Sequence, residues 1–264
     1  MKIGFIGLGN MATAMIGGIL QKGLMKSEEI IGSNRSQAGL NKVQDSFGIV
    51  AARTNREVAE KADIVVLSVK PQFYTTVIAE IKDVITEKQI VISIAPGKTL
   101  QWLHDLFGKE VKLVRCMPNT PALVGEGCTG VCHNALVTES EIVSVLTILS
   151  GFGLASLVEE HMMDAVVGVS GSSPAYVFMF IEAMADEAVA AGMPRKQAYE
   201  FAAQAVLGSA KMVLETGKHP GELKDMVCSP GGTTIQAVRV LEQRGFRSAV
   251  MEAMDACIEK SRSM

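Results

Sequence analysis

Near its start the chain reads Lys2-Ile3-Gly4-Phe5-Ile6-Gly7-Leu8-Gly9-Asn10-Met11-Ala12. The apolar run predicts a strand, and the residues after it have the periodicity of a helix. Gly-x-Gly-x-x-Ala between a strand and a helix is typical of a dinucleotide-binding turn: Gly7 allows the turn, Gly9 lets a pyrophosphate approach the main chain, and Ala12 packs the helix. The alternative is a glycine-rich turn without a ligand. We expect the cofactor to contact Ile6, Gly7, Leu8, Gly9, Asn10 and Met11.

Beyond this turn, short runs rich in β-branched residues alternate with helical patterns up to about residue 160. Apolar strands separated by helices indicate an α/β fold with a mainly parallel sheet covered on both faces. The predicted strands are Lys2–Ile6, Glu29–Gly32, Ile49–Ala51, Ile64–Val69, Ile90–Ile94 and Lys112–Met117, with Thr129–His133 and Leu154–Glu159 around a helix at Glu139–Leu149. Predicted helices between the earlier strands include Met11–Gln21, Asn55–Lys61, Gln72–Ile81 and Leu100–Phe107.

After about residue 160 the strand pattern stops and only helices are predicted. We therefore expect two domains, 1–160 for the dinucleotide and 161–264 for dimerisation and substrate binding. The helices over residues 175–215 carry Ala, Gly, Met and Val on most faces, so they must be buried. A domain of this size has little room to bury them, which predicts an extensive homodimer interface. The predicted helices are Pro174–Ala191, Pro194–Thr216, Pro220–Val227, Thr233–Gln243 and Phe246–Ser261.

The composition limits the classes of partner. Apolar residues make up 48% and charged residues 20% of the chain, with a net charge of -3, which argues against disorder and against nucleic acid as a general partner. The five cysteines are scattered, which indicates a reducing, cytoplasmic setting. Cys128, Cys132 and His133 lack an evident fourth ligand, so we expect no metal site. The uncharged segment 165–181 is interrupted by glycine, serine and proline, and we interpret it as a loop that leads into a buried helix rather than as a membrane span.

Residues at the carboxyl ends of the predicted strands suggest how a cofactor binds. The second strand is followed by Ser33-Asn34-Arg35-Ser36, where an NAD-binding domain usually has a carboxylate. A cation there suits a 2′-phosphate, so NADP(H) is favoured and NAD(H) remains possible; the alternative is that Arg35 is an ordinary surface residue. We expect cofactor contacts from Asn34, Arg35, Asn55, Ser68, Val69, Lys70, Pro71 and Ala95, although Lys70 is as well explained by solvation.

A second glycine-rich turn, Ser229-Pro230-Gly231-Gly232-Thr233-Thr234, precedes a predicted amphipathic helix. The start of a helix offers unpaired main-chain N–H groups, which bind anions without a charged side chain. The chain therefore has one predicted anion site in each of its two domains.

These motifs together resemble the pyrroline-5-carboxylate reductases. The resemblance also rests on Val69-Lys70-Pro71-Gln72, residues 115–122 and Pro174-Ala175-Tyr176, and Ser229–Ile235 is its most specific part. The chain departs from the family pattern at Ser173 and Pro96. The resemblance implies a Rossmann-type doubly wound domain followed by an all-helical dimerisation domain, with dimers often assembling into rings. It also implies an active site between one subunit's cofactor domain and its partner's helices.

The implied reaction is hydride transfer from NAD(P)H to the C=N carbon of 1-pyrroline-5-carboxylate, which yields L-proline. We expect Ser229, Gly232, Thr233 and Thr234 to bind the substrate, with its carboxylate on the N–H groups of residues 232–234. Thr234 is the predicted catalytic residue, which hydrogen-bonds the ring nitrogen directly or through water. The alternative is that Thr234 only caps the helix.

Two other functions compete with this one. A β-hydroxyacid dehydrogenase shares the predicted architecture, but such enzymes carry a catalytic lysine on the first long helix after the cofactor domain. This chain has no lysine between Lys112 and Lys196. A catalytically silent NADP-binding regulator is the other alternative, and the second anion site argues against it.

Overall fold

A computed structural model describes residues 1–263 as two compact units. The first comprises Met1–Ser172 together with the residues from Cys257 onward, and the second comprises Ser173–Ala256. The first unit is α/β and the second is helical, which confirms the predicted fold class.

The first unit is built on a sheet with the strand order β3-β2-β1-β4-β5-β6-β7-β8. All neighbouring strands pair in parallel except β6 and β7, which are antiparallel. The predicted strands are confirmed to within a few residues at their ends. Their bounds are β1 Ile3–Ile6, β2 Ile30–Ser33, β3 Val50–Ala51, β4 Ile64–Leu67, β5 Ile90–Ser93, β6 Lys112–Met117, β7 Gly127–His133 and β8 Gly153–Leu157.

The central strands are apolar on both faces because each face of the sheet is covered by helices. Along β1, Ile3 and Phe5 pack into one core and Ile6 into the other. The same alternation recurs in β4, where Ile64 and Val66 face the first core and their neighbours face the second. The covering helices are α1 Asn10–Gln21, α2 Gln37–Phe47, α3 Asn55–Lys61, α4 Tyr74–Ile81, α5 Leu100–Phe107 and α6 Glu139–Leu149.

The segment that follows β8 is helical where the sequence analysis predicted a loop. It contains α7 (Met163–Val166) and a π-helical turn, Val167–Gly171. The side-chain amide of Asn119, on the loop after β6, donates a hydrogen bond to the carbonyl of Ser170 at 2.9 Å. This tertiary contact supports a helical conformation that the local glycines do not favour.

The second unit buries little of its apolar surface within one chain. Ala185, Ala198 and Ala202 form its buried cluster, whereas Phe178, Met179 and Leu214 are 62%, 69% and 81% exposed. By length and composition alone, the stretch Glu160–Ala190 is the one candidate for a membrane-crossing helix within residues 1–263. The helices are α8 Ser173–Ala190, α9 Arg195–Thr216, α10 Pro220–Val227, α11 Thr233–Gln243 and α12 Phe246–Arg262, the last of which ends in the first unit.

Helix α1 approaches the backbone of the 3₁₀ turn Ser150–Phe152 very closely. A Cβ added at Gly18 would lie 2.6 Å from the Cβ of Phe152 and 2.8 Å from the carbonyl oxygen of Gly151. At the adjacent Gly17, the nearest atom would be a ring carbon of Phe47 at 3.3 Å. Gly18 therefore sets the distance between α1 and the 3₁₀ turn before β8.

This contact predicts opposite effects for two neighbouring substitutions. Gly18→Ala forces backbone to move and should destabilise the protein by about 1–3 kcal/mol. Gly17→Ala gains helix propensity, worth up to about 1 kcal/mol, and needs only a small shift of a ring. Thermal unfolding followed by circular dichroism should show a clearly lower Tm for Gly18→Ala than for Gly17→Ala; equal values would contradict the close packing.

Candidate functional site

A cavity of about 1040 Å³ opens at the carboxyl edge of the sheet, where β1 lies between β2 and β4. The strand order reverses at this point, and open α/β sheets bind ligands in such crevices. Its volume is at the upper end for ligand sites. The lining residues are Gly7, Leu8, Gly9, Ser33, Asn34, Arg35, Arg53, Thr54, Asn55, Arg56, Ser68, Val69, Lys70, Gln72, Phe73, Thr76, Val77 and Glu80.

The turn after β1 has the conformation that the glycine pattern predicted. Gly7 has a φ of 95° and donates its N–H to the carbonyl of Ser33 at 2.9 Å. A Cβ at Gly7 would lie 2.7 Å from Val69, so the position is closed to other residues. Gly9 is the N-cap of α1, and no atom of the described residues lies within 4 Å of the position that a Cβ would take there. Within residues 1–263, no side chain forms a capping hydrogen bond at this helix start. The start of α1 therefore presents unpaired N–H groups to an open space suited to an anion.

Two predicted cofactor residues hold this turn in place with their side chains. The Asn34 amide oxygen accepts the N–H of Leu8 at 3.1 Å, and its NH₂ group donates to the carbonyl and hydroxyl of Ser36 at 3.2 and 3.3 Å. The hydroxyl of Ser68 lies 2.7 Å from the carbonyl of Gly7, to which it donates. Both residues line the cavity while their polar groups fix the main chain around it.

The cavity is strongly positive. Arg35 stacks its guanidinium over the ring of Phe73 at 5.3 Å, a cation–π contact that fixes its direction. Arg53 and Arg56 also line the cavity, and Arg56 is paired with Glu60 at 2.9 Å. Arg53, Arg56 and Phe73 were not among the residues predicted from the sequence. The two arginines follow β3, so the rule that ligands bind beyond the carboxyl ends of parallel strands applies to them as well.

A chain of hydrogen bonds crosses one wall of the cavity. The buried Ser33, at the end of β2, donates its hydroxyl to the amide oxygen of Asn55 at 2.7 Å. The NH₂ group of Asn55 donates in turn to the carboxylate of Glu80, on α4, at 2.7 Å. Asn55 was predicted from the sequence as a cofactor residue and Ser33 was part of the run that follows the second strand, whereas Glu80 was not predicted.

Five predicted cofactor residues are not among the residues that line the cavity in the described part of the chain. Ile6 is fully buried and Ala95 is 2% exposed, so their side chains pack into the core; the rest of this set is Asn10, Met11 and Pro71.

Beneath this edge of the sheet, Tyr74 donates its hydroxyl to the carbonyl of Leu67 at 2.6 Å and accepts a hydrogen bond from Ser93. Burial raises the pKa of Tyr74 to about 12, so it links the ends of β4 and β5 as a neutral phenol.

In the second unit, the turn before α11 also begins a helix without a side-chain cap, as far as the described residues go. Gly231 has a φ of 70°, and a Cβ at Gly232 would lie 2.3 Å from the hydroxyl oxygen of Ser229. Gly232 is the N-cap and Thr234 is the second helical residue, so the alternative that Thr234 is an N-cap is wrong. The N–H of Gly232 donates to the carbonyl of Ser229 at 3.0 Å. That corrects the predicted anion site: the Gly232 N–H is engaged within the turn, and the N–H groups of Thr233 and Thr234 begin the helix without intrahelical acceptors.

Two family models match separate parts of the chain. Residues 160–264 match the family described as pyrroline-5-carboxylate reductase dimerisation, and residues 2–97 match NADP oxidoreductase coenzyme F420-dependent. A pyrroline-5-carboxylate reductase of Escherichia coli (strain K12) is 56% identical over 263 residues, covering 100% of this chain and 98% of that protein. A pyrroline-5-carboxylate reductase structure from Coxiella burnetii has a TM-score of 0.93 at 36% identity and covers 99% of this chain and 97% of that one. A structure of a Plasmodium falciparum pyrroline carboxylate reductase with NADP bound has a TM-score of 0.90 at 34% identity. The match covers 100% of this chain and 97% of that one.

The open space beside Gly9 predicts a variant that separates binding from folding. Gly9→Ala keeps an allowed conformation and should change stability by less than about 1 kcal/mol. Its methyl group would project into the cavity, so the affinity for NADPH should fall at least about tenfold, because a ligand packed against the main chain has no room to shift. Fluorescence titration with NADPH and thermal unfolding provide the two measurements.

Gly7→Ala is the contrasting variant, since it is strained by its φ and by Val69. It should lower the Tm as well as the affinity. An unchanged NADPH affinity in Gly9→Ala would mean that the cavity is not the dinucleotide site.

Proposed function

The chain belongs to the pyrroline-5-carboxylate reductase family, and from that premise we propose that it reduces 1-pyrroline-5-carboxylate to L-proline with NADPH as the preferred donor. The main observation in support of this function is the uncapped start of α11. Its two main-chain N–H groups can bind a carboxylate without a charged side chain. A positively charged dinucleotide cavity in the first unit supports it.

We propose that the pyrophosphate of the cofactor is held at the start of α1, beside Gly9, where the N–H groups and the helix dipole favour negative charge. Arg35 and Arg53 then bind the 2′-phosphate, since both line the cavity near the end of β2. Arg35 is directed by Phe73, which reduces the entropy lost when it binds an anion. The cofactor bound in this cavity supplies the hydride for the C=N carbon. The F420-type family match and the NADP-bound relative support this choice of cofactor.

The proposed substrate site is the turn Ser229–Thr234. The substrate carboxylate accepts hydrogen bonds from the N–H groups of Thr233 and Thr234, and Ser229 adds its hydroxyl. The Thr234 hydroxyl then hydrogen-bonds the ring nitrogen, directly or through water, and keeps the protonated imine oriented. Holding two reactants in a near-attack geometry supplies about 7–11 kcal/mol of the barrier reduction, which is why positioning alone is effective here.

We further propose that the helical region, residues 161–264, forms a homodimer in a cytoplasmic enzyme, and that the dimers associate further. The exposed apolar side chains of α8 and α9 support this, because a monomer rarely exposes so large an apolar surface. The family description of residues 160–264 names dimerisation. A second copy would cover Phe178, Met179 and Leu214.

The dimer predicts that a charge on α8 disrupts assembly. Phe178→Glu buries an unpaired carboxylate in the proposed interface, at a cost of several kcal/mol, and should shift the molar mass toward that of one chain. Val143→Glu is the matched control, since Val143 is 61% exposed on α6 in the first unit. Light scattering coupled to size-exclusion chromatography gives the mass. A wild-type protein that elutes as a monomer would contradict the proposal.

The reaction itself is tested by the loss of NADPH absorbance when pyrroline-5-carboxylate is added. Wild-type protein should oxidise NADPH with this substrate, and it should not reduce NADP+ when 3-hydroxy acids are supplied instead. Thr234→Ala removes a hydrogen bond to a charged group, worth about 1.5–3 kcal/mol, and should lower kcat about 10- to 150-fold.

Thr234→Ser is the control for that variant, because it keeps the hydroxyl and should retain most of the activity. The Tm of both variants should stay within about 2 °C of wild type, since Thr234 is not the cap of its helix. Equal activity in Thr234→Ala and wild type would remove the catalytic role while leaving the reaction in place.

A further inference from the structure

The cavity contains a carboxylate that the proposed function does not use. Arg35, Arg53, Arg56 and Lys70 line it, and Glu80 is the one acidic residue among the lining residues that the structure describes. A site that only had to bind a phosphorylated ribose would gain nothing from a negative charge, because like charges in the same cavity repel one another. Glu80 therefore requires an explanation of its own.

Glu80 is connected to the end of β2 by the hydrogen bonds through Asn55. An ionised carboxylate only accepts hydrogen bonds, so the Asn55 amide must present its NH₂ group to Glu80, at 2.7 Å. Its oxygen is thereby left to accept the hydroxyl of Ser33, also at 2.7 Å. Glu80 thus fixes the orientation of Asn55 and brings a negative charge within two hydrogen bonds of the last residue of β2.

The last residues of β2 are where dinucleotide-binding domains usually place an acidic residue that accepts the ribose hydroxyls of NAD. This chain has Ser33 and Asn34 there instead. We propose that Glu80 supplies from α4 the carboxylate missing from β2, and that it sets the choice between phosphorylated and unphosphorylated adenosine ribose. This inference rests on the proposed dinucleotide site and names a residue that determines its specificity.

Two opposing effects follow from this arrangement. A ribose 2′-hydroxyl donates a hydrogen bond, which the Glu80–Asn55 pair accepts, whereas a 2′-phosphate brings negative charge that Glu80 repels. Arg35 and Arg53 act in the other direction, because they attract the phosphate. The cavity therefore accepts both forms of the cofactor, with its preference set by the balance between one acid and the neighbouring arginines.

The test uses two nucleotides that differ only by the 2′-phosphate, adenosine 2′,5′-bisphosphate and 5′-AMP. Isothermal titration calorimetry on the full-length protein gives both dissociation constants without any turnover. Glu80→Gln keeps an oxygen that accepts the Asn55 hydrogen bond and removes the charge. It should raise the preference for the bisphosphate about fivefold relative to wild type, the scale of one partly screened charge.

Two further variants distinguish this role from a structural one. Asp83→Asn, just beyond α4, removes the same charge from an exposed residue outside the cavity lining and should leave the preference within about twofold. Glu80→Ala also frees the Asn55 amide, so it should weaken 5′-AMP more than Glu80→Gln does.

An unchanged preference in Glu80→Gln, or one shifted toward 5′-AMP, would overturn the role of Glu80 while leaving the cofactor site intact. A wild-type protein that bound neither nucleotide would overturn both. An equal loss of affinity for both nucleotides in Glu80→Gln would reduce Glu80 to a structural residue and would also overturn the inference.

Discussion

The first unit depends on the hydrogen bonds that join the ends of β1, β2 and β4 at the turn after β1. Gly7 donates its N–H to the carbonyl of Ser33, and its own carbonyl accepts the hydroxyl of Ser68. These bonds fix the turn at the point where the strand order reverses, which leaves room for a ligand above the sheet. They also explain why Gly7 tolerates no side chain, since Val69 follows directly after Ser68 and closes the space beside it. The cavity thus follows from how three strand ends are held together, and its lining residues follow from what comes next along each strand.

Much of this unit could be predicted from the sequence, because apolar runs separated by helical patterns describe a parallel sheet almost completely. The direction of β7 could not, since the apolar alternation of a strand is the same in both directions. The helical conformation of residues 163–171 was also missed. Its glycines and serine indicate a loop locally, and the contact that supports the helix comes from Asn119, about 50 residues earlier in the chain. Local sequence signals fail where a distant side chain decides the conformation.

The same distinction between local signals and distant contacts decides which parts of the candidate site could be predicted from the sequence. Main-chain features such as Gly9 and the turn before α11 could be predicted, because glycine patterns report on the backbone directly. Side chains that meet only after folding could not: Glu80 lies 25 residues beyond Asn55 in the chain and 2.7 Å from it in space. The hydrogen bond of the Gly232 N–H was not predicted for a related reason. Its acceptor, the carbonyl of Ser229, belongs to the same turn, and the glycine pattern does not show that this donor is already paired. In each case the sequence did not show which group would be the hydrogen-bond partner.

The two proposed anion sites have the same type of N-cap residue. Helices α2, α3, α5 and α6 begin after Ser36, Thr54, Thr99 and Thr138, whose hydroxyls accept main-chain N–H groups of the first turn. Helices α1 and α11 begin instead after Gly9 and Gly232, without a side-chain hydrogen bond in the described structure. Glycine at this position costs only a few tenths of a kcal/mol relative to serine or threonine, whereas a capping hydroxyl would occupy the donors that an anion needs. Within residues 1–263, helices α4, α7 and α9 also begin without a side-chain cap, after Phe73, Met162 and Pro194, so an uncapped start alone does not mark a ligand site. What distinguishes α1 and α11 is glycine at the N-cap, because a residue without a side chain leaves the first N–H groups of the helix accessible to a ligand.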